Sequence, residues 1–261
     1  MLSKLRPRIL PSRGGFASRW LPLPDGGSGY PLGVSDFADE LQQLIDERRT
    51  FGGHPLWQRI QEGRVRDPGL QLFARQFFLQ VREFPRAVSA LHAACPYPDE
   101  RIELAESLYE EETGRISGCN LPHPELFIRF GLATGLAREQ MTQAKPLAAT
   151  ASLIDWFEIS TRTRPFLEGA AAITLAAEGQ VPGAFGPFAR ALEQHYGLSR
   201  EAVAFWDIHE VADRDHSDIG RSAVLAHGDT PESRDGIRQA VGLSLDAWWH
   251  FFDGMAAAID A

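Results

Sequence analysis

Residues 205–220 read Phe205-Trp206-Asp207-Ile208-His209-Glu210-Val211-Ala212-Asp213-Arg214-Asp215-His216-Ser217-Asp218-Ile219-Gly220. Within them His209, Asp213 and His216 stand at i, i+4 and i+7. A helix turns about 100° per residue, so these three fall within roughly 60° of one another on one face. Glu210, Arg214 and Asp215 point elsewhere. Two imidazoles and a carboxylate on one helix face form a metal-ligand set. His209 and His216 lie roughly 10 Å apart along the axis, long for one ion but suited to two ions about 4 Å apart with Asp213 between them. The stretch therefore predicts a helix, inside a fold whose other helices supply the missing ligands.

Outward from it, the chain reads as helix after helix. Ser35 is placed to cap a helix carrying Phe37, Leu41, Leu44 and Ile45. His54-Pro55-Leu56-Trp57 opens a short helix ending near Gly63. Asp67-Pro68 starts a long one through Leu70, Phe73, Phe77, Val81, Phe84, Val88 and Leu91, too apolar for one stripe and so buried on most sides. Pro85 is expected to kink it or end its first half. Further helices are predicted from Asp99 to about Glu112, from His123, and over 137–144, 147–163, 165–179, 184–196, 200–226 and 231–258. Strand signals and internal repeats are absent. The expected architecture is all-α, a single bundle of seven to nine helices over residues 35–261, preceded by a flexible tail over 1–34.

That tail begins with Lys4, Arg6, Arg8, Arg13 and Arg19 and no acid in its first 24 residues. Pro7, Pro11, Pro22 and Pro24 break it, unlike an amphipathic transit peptide, and it lacks the apolar core of a secretory signal. For the whole chain the net charge is -9, which argues against nucleic acid as the main partner. No apolar run reaches the length of a membrane span. Cys95 and Cys119 form neither a CxxC pair nor a disulfide framework, which suits a reducing cytoplasm.

Two other stretches carry candidate ligands. One is Leu108-Tyr109-Glu110-Glu111-Glu112-Thr113-Gly114, followed by His123. The other is Ala176-Ala177-Glu178-Gly179-Gln180-Val181-Pro182, where Glu178 follows a very apolar run and is costly to bury unless paired or coordinated. Taken singly, each is as well explained by a solvated helix face or a helix end turning outward.

Together these stretches resemble the haem-oxygenase-like diiron oxidase and oxygenase superfamily, whose fold is shared with pyrroloquinoline-quinone synthase and thiaminase II. The similarity runs from about His54 to the C-terminus and includes Phe77-Phe78-Leu79-Gln80-Val81-Arg82-Glu83-Phe84-Pro85-Arg86. It implies a haem-oxygenase-like bundle, two Fe(II) ions, and O₂ as co-substrate. Carried over by motif, the implied metal ligands are Glu111, His123, Glu178, His209, Asp213 and His216. Glu110 and Glu112 remain alternatives to Glu111. Para-aminobenzoate-forming members, a chlamydial one among them, consume a tyrosine of their own and use a lysine. Those positions fall here on Trp57 and Phe188, so self-sacrificing chemistry of that kind is not expected.

The reading that follows is a non-haem diiron oxidoreductase. It oxidises a small amine, amino acid or fatty acid by N-oxygenation, desaturation or C–C cleavage in a biosynthetic pathway. Alternatives are a para-aminobenzoate-synthase-like or cofactorless quinone-synthase-like oxidase and, in another class, a non-catalytic helical ligand-binding protein. Phe77, Phe84, Trp156, Phe157 and Phe185 are candidate substrate walls, and Arg82 and Arg86 candidate carboxylate binders. The expected partner is a small molecule, with neither nucleic acid nor membrane and with a homodimer as the family's expectation. The aromatic segment Leu245–Phe252 is expected to cap the bundle rather than meet a partner.

Overall fold

The computed structural model describes residues 34–261, and within them the side chains of all but 34–36 and 211–218. The basic segment expected to be a flexible tail lies outside the described residues. Among the described residues there are helices and no strands. In chain order they are α1 (Val34–Glu47), α2 (Pro55–Gln61), α3 (Gly69–Ala94), α4 (Pro98–Thr113), α5 (His123–Ala133) and α6 (Arg138–Thr142). Then follow α7 (Ala148–Arg162), α8 (Phe166–Ala170), α9 (Phe185–Tyr196), α10 (Ala204–His227) and α11 (Pro231–Asp260). These eleven exceed the seven to nine expected because short pieces such as α6 and α8, of 5 residues each, stand as separate elements.

The long apolar helix is the axis of the core. α3 packs against α4, α5 and α7, and α11 closes the far side against α7 and α1. Phe73, Phe77, Phe78, Val88 and Leu91 of α3 are buried; each contributes about 1.5–3 kcal/mol relative to exposure. Pro85 does not end the helix, which runs unbroken from Gly69 to Ala94. Its ring costs one hydrogen-bond donor and is tolerated because the helix is held by packing along its whole length. Trp248, Phe251 and Phe252 of α11 are buried in the same core, so the C-terminal aromatic segment does close the bundle. No helix among the described residues is long and apolar enough to cross a membrane, and Cys95 and Cys119 are both free thiols.

The predicted helix over 165–179 is in fact three pieces. After α8 the chain widens into a π turn at Ala171–Leu175, with the Ala176 N–H donating to the Ala171 carbonyl at 2.8 Å. A 3₁₀ turn, Glu178–Gln180, follows. The widening sits where α10 crosses at Gly220, whose missing side chain leaves room for Thr174 and Leu175. An alanine-rich, fully buried run looks helical whichever carbonyl each N–H selects, so the sequence pattern does not distinguish the two ladders.

Candidate metal centre

Four segments meet beside α3: the end of α4, the start of α5, the 3₁₀ turn and α10. Their meeting depends on the loop between α4 and α5. Gly114 ends α4 in the left-handed conformation, φ 59°, and its N–H donates to the Glu110 carbonyl at 2.7 Å. The loop then folds back on the helix end, with the Asn120 N–H donating to the Gly114 carbonyl at 2.8 Å. A side chain on Gly114 would collide with the Cys119 sulfur and the Leu121 carbonyl, so the return is tight. It delivers His123, the first residue of α5, against the two acids that close α4.

His123 is fully buried between two carboxylates. Its Nδ1 lies 2.9 Å from Glu111 Oε1 and its Nε2 lies 3.3 Å from Glu110 Oε1. Glu110 is held from behind: its Oε2 accepts the N–H of Ile116 at 2.7 Å and of Ser117 at 3.2 Å. From α10, His209 donates its Nδ1–H to the Phe205 carbonyl at 2.7 Å. A carbonyl cannot donate, so Nδ1 carries a proton and Nε2 is the nitrogen left to meet another partner. That Nε2 faces Glu111 Oε1 at 3.8 Å. One donor atom each from Glu111, His123 and His209 therefore lie within 4.8 Å of one another.

Burial opposes every charge in this cluster, and the partners reverse that. For Glu111, the two imidazoles overcome desolvation and hold the carboxyl well below its ordinary range. For His123, desolvation is outweighed by Glu111 and Glu110, and the ring is raised to about 9. Glu110 is likewise lowered, with burial opposed by its bonds to Ser117, Ile116 and His123. The three adjacent acids thus separate into distinct roles. Glu111 faces the open side of the cluster, Glu110 backs His123, and Glu112 is exposed on the surface.

Glu178 is buried on its 3₁₀ turn and opens on the same cavity as Glu111 and His209. Its turn is tethered on both sides. Arg49 donates to the carbonyls of Gly179 at 3.2 Å and Pro182 at 3.0 Å, and the Gln180 side chain accepts the Thr50 N–H at 2.7 Å. Across from these, the carboxylate of Glu210 accepts the N–H of Gly183 at 2.7 Å and of Gly186 at 2.9 Å. Asp213 and His216 belong to α10 beyond His209, and their side chains lie outside the described residues.

The cavity measures about 50 Å³, room for only a few waters. Phe51, Phe77, Phe84, Phe185, Phe205 and Trp248 form its walls, with Gln80 as a polar exception beside the acids and His209. Of the expected substrate residues, Phe77, Phe84 and Phe185 are in place. Arg82, Arg86, Trp156 and Phe157 are not among the lining residues. The arginines miss because α3 turns Phe77, Gln80, Val81 and Phe84 inward, which puts residues 82 and 86 on its opposite face. There both bind Glu83, Arg82 at 2.9 Å and Arg86 at 3.1 Å. Trp156 instead packs under the Arg164 guanidinium, 5.4 Å from its ring centre.

The family model described as iron-containing redox enzyme matches residues 71–249, which takes in α3, both ligand-bearing loops and α10. The chain belongs to this family of iron-containing redox enzymes. Two curated relatives bear the name 4-aminobenzoate synthase. The one from Nitrosomonas europaea is 28% identical over 234 residues, covering 86% of this chain and 92% of that one. The one from Chlamydia pneumoniae is 27% identical over 218 residues, covering 84% and 94%. A solved domain of unknown function from Shewanella denitrificans, with a haem-oxygenase-like fold, superposes with a TM-score of 0.70. It does so at 15% identity, covering 87% of this chain and 93% of that one. The fold is therefore haem-oxygenase-like, as the resemblance implied, and the enzyme is an oxidoreductase of the iron-dependent kind.

The residues present fit iron. Imidazole nitrogen and carboxylate oxygen converge in a buried cluster, with His209 already turned so that Nε2 is the nitrogen it presents, and this donor set suits a first-row transition metal. Sequence reasoning did not single out Glu110 as the backing for His123, nor Gln80 in the cavity. Glu110 was legible only as one of three neighbouring acids, and Gln80 only as a polar interruption of an apolar helix.

Proposed function

We propose that this enzyme holds two Fe(II) ions and uses O₂ to oxidise a small molecule of the amine, amino acid or fatty acid classes. Glu111, His123, Glu178 and His209 would hold the metal, together with Asp213 and His216 from the same helix as His209. The observation that carries the reading is the convergence of Glu111, His123 and His209, with Glu111 and His209 lining a small, largely apolar cavity. Ferrous iron bound there supplies the electrons that reduce O₂. The chain's own part is to present the ligands and to keep water out. Glu110 aligns the His123 ring, the Phe205 carbonyl aligns His209, and the aromatic walls leave space for little beyond substrate and O₂.

Anaerobic loading with Fe(II), followed by iron analysis and O₂ uptake, tests the proposal. About two irons per chain and O₂ consumption are expected, with iron binding at such sites strong enough to survive desalting. Fewer than about one iron per chain would overturn the reading. A His209→Ala variant that keeps its full iron content would overturn the ligand assignment.

Iron uptake is also expected to be proton-coupled. In the metal-free protein His123 is protonated up to about pH 9, and a ring held by two carboxylates must shed that proton before it ligates. The apparent Fe(II) affinity should rise about tenfold per pH unit below that value and level off above it. The stability of the metal-free protein has the opposite slope. The raised His123 contributes fully below the ordinary histidine range, and its contribution is lost as pH rises through about 9. Competition with a chromophoric chelator at a series of pH values, beside thermal melts without metal, separates the two trends.

A second reading is 4-aminobenzoate formation, favoured by the names of the curated relatives. Against it stand Trp57 and Phe188, both fully buried and stacked on each other with ring centres 3.9 Å apart. No tyrosine is among the described residues that line the cavity. Production of 4-aminobenzoate by the iron-loaded chain without added substrate would select this reading.

A further inference from the structure

His123 has two ring nitrogens and a carboxylate at each. Its Nδ1 meets Glu111, on the side shared with His209. Its Nε2 meets Glu110 at 3.3 Å, and Cys119 joins that pair. One donor atom each from Glu110, Cys119 and His123 lie within 4.8 Å of one another, a second three-ligand convergence among the described residues. The loop between α4 and α5 builds it. Gly114 has no side chain, and the Cys119 sulfur fills the space that one would take. That thiol donates to the Leu121 carbonyl at 3.4 Å, a weak bond. Glu110 and His123 are buried, and Cys119 is half-buried. Two backbone N–H groups hold Glu110 Oε2, so Oε1 stays turned to the ring.

Thiolate, carboxylate and imidazole together are a zinc-type donor set, and the sulfur distinguishes it from the nitrogen and oxygen set on the other side of the ring. The charges balance. One thiolate and one carboxylate offset a divalent ion, so the occupied site is neutral, which limits the cost of burying it. The spacing also suits. A tetrahedral ion with nitrogen and oxygen ligands at about 2.1 Å holds those two atoms about 3.4 Å apart, against 3.3 Å between His123 Nε2 and Glu110 Oε1. Half-buried Cys119 leaves one side within reach of solvent, where water completes the four ligands of a zinc ion.

We propose that Glu110, Cys119 and His123 form a second metal site, suited to a thiophilic divalent ion such as Zn(II), and that it competes with the iron centre for His123. The competition rests on the oxygenase reading above; the site itself does not. A neutral imidazole has one lone pair to give. When Nδ1 ligates iron, the Nε2–H donates to Glu110. When Nε2 ligates zinc, the Nδ1–H donates to Glu111, and the iron centre is left one ligand short. Zinc binding also releases the Cys119 thiol proton to water. Zinc held by this loop is therefore an inhibitor of iron assembly.

The test adds Co(II), a spectroscopic substitute for Zn(II), to the full metal-free chain without oxygen. A near-ultraviolet thiolate-to-cobalt band should appear, and Zn(II) should abolish it. Cys119→Ser should lose the band. Cys95→Ser should keep it, since Cys95 belongs to neither convergence. His209→Ala, which removes a ligand from the iron side alone, should keep it too. In that background Cys119→Ser should weaken Zn(II) more than about tenfold. In the parent chain Zn(II) should slow alkylation of Cys119 about tenfold or more, because a ligated sulfur is no longer a free nucleophile. A chain already loaded with Fe(II) should show little of the cobalt band. No band in the parent, a band that survives Cys119→Ser, or alkylation unchanged by Zn(II) overturns the site. Loss of the band in His209→Ala overturns its separateness, by placing the sulfur in the iron centre itself. An undiminished band in the iron-loaded chain overturns the competition. If the parent takes up no iron, the oxygenase reading fails by itself, and the cobalt series on the metal-free chain still decides the second site.

Discussion

Replacing Glu111 by glutamine should cost this protein its iron. Glutamine keeps the volume and one oxygen for His123 but removes the charge that lies 2.9 Å from His123 and 3.8 Å from His209. Loss of groups that merely orient a ligand lowers metal affinity about 10–100-fold, so loss of a ligand itself should exceed about 100-fold. The fold should survive. Burial lowers the pKa of His123, and with only Glu110 left to oppose burial the ring sheds its proton more readily, so no uncompensated cation is stranded. Two neighbours make the comparison decisive. Glu110→Gln, which disturbs only the backing of His123, should weaken iron by about tenfold. Glu112→Gln, on the exposed face, should change nothing. Chelator competition ranks the three, and an ordering in which Glu112 matters as much as Glu111 would overturn the assignment of roles along this short acidic run.

The second large effect is expected at Gly114. Alanine there must adopt φ 59° and also place its methyl group against the Cys119 sulfur and the Leu121 carbonyl. The first cost is about 1–2 kcal/mol and the second about 1–3 kcal/mol, so a loss of about 2–5 kcal/mol is expected. For a chain of this size that is a fall of roughly 4–20 °C in melting temperature. Gly197→Ala is the control. It has a similar φ, 67°, at the end of α9, with nothing within 4 Å of the added carbon, and should lose only the conformational part, about 1–2 kcal/mol. Because the same loop positions His123, Gly114→Ala should also lower iron content where Gly197→Ala does not. Equal losses of stability in the two variants would show that the tight return of the loop contributes nothing.

Much of this was legible in the sequence because helices announce themselves. The 3.6-residue period and the proline starts at Pro55 and Pro68 placed most elements. What periodicity does not carry is the choice among neighbours. Glu110, Glu111 and Glu112 are one run of acids until the left-handed turn at Gly114 decides which of them His123 meets. Arg82 and Arg86 suit carboxylates by residue type alone. Their angular position relative to Phe77 and Phe84 was available and sends them outward. The π turn at Ala171–Leu175 was not available, since a uniformly apolar run gives the same pattern for either hydrogen-bond ladder.

The tethers around Glu178 have a mechanical meaning. Glu210 ties the start of α9 to α10 beside His209, while Arg49 and Gln180 tie the Glu178 turn to the segment before α2. Glu178 and His209 thus ride on one braced frame. Glu111 and His123 ride on another, made of α4, α5 and the loop that joins them. An ion held by Glu111, His123 and His209 would join the two frames, and each half of the ligand set is braced by hydrogen bonds that do not depend on the metal.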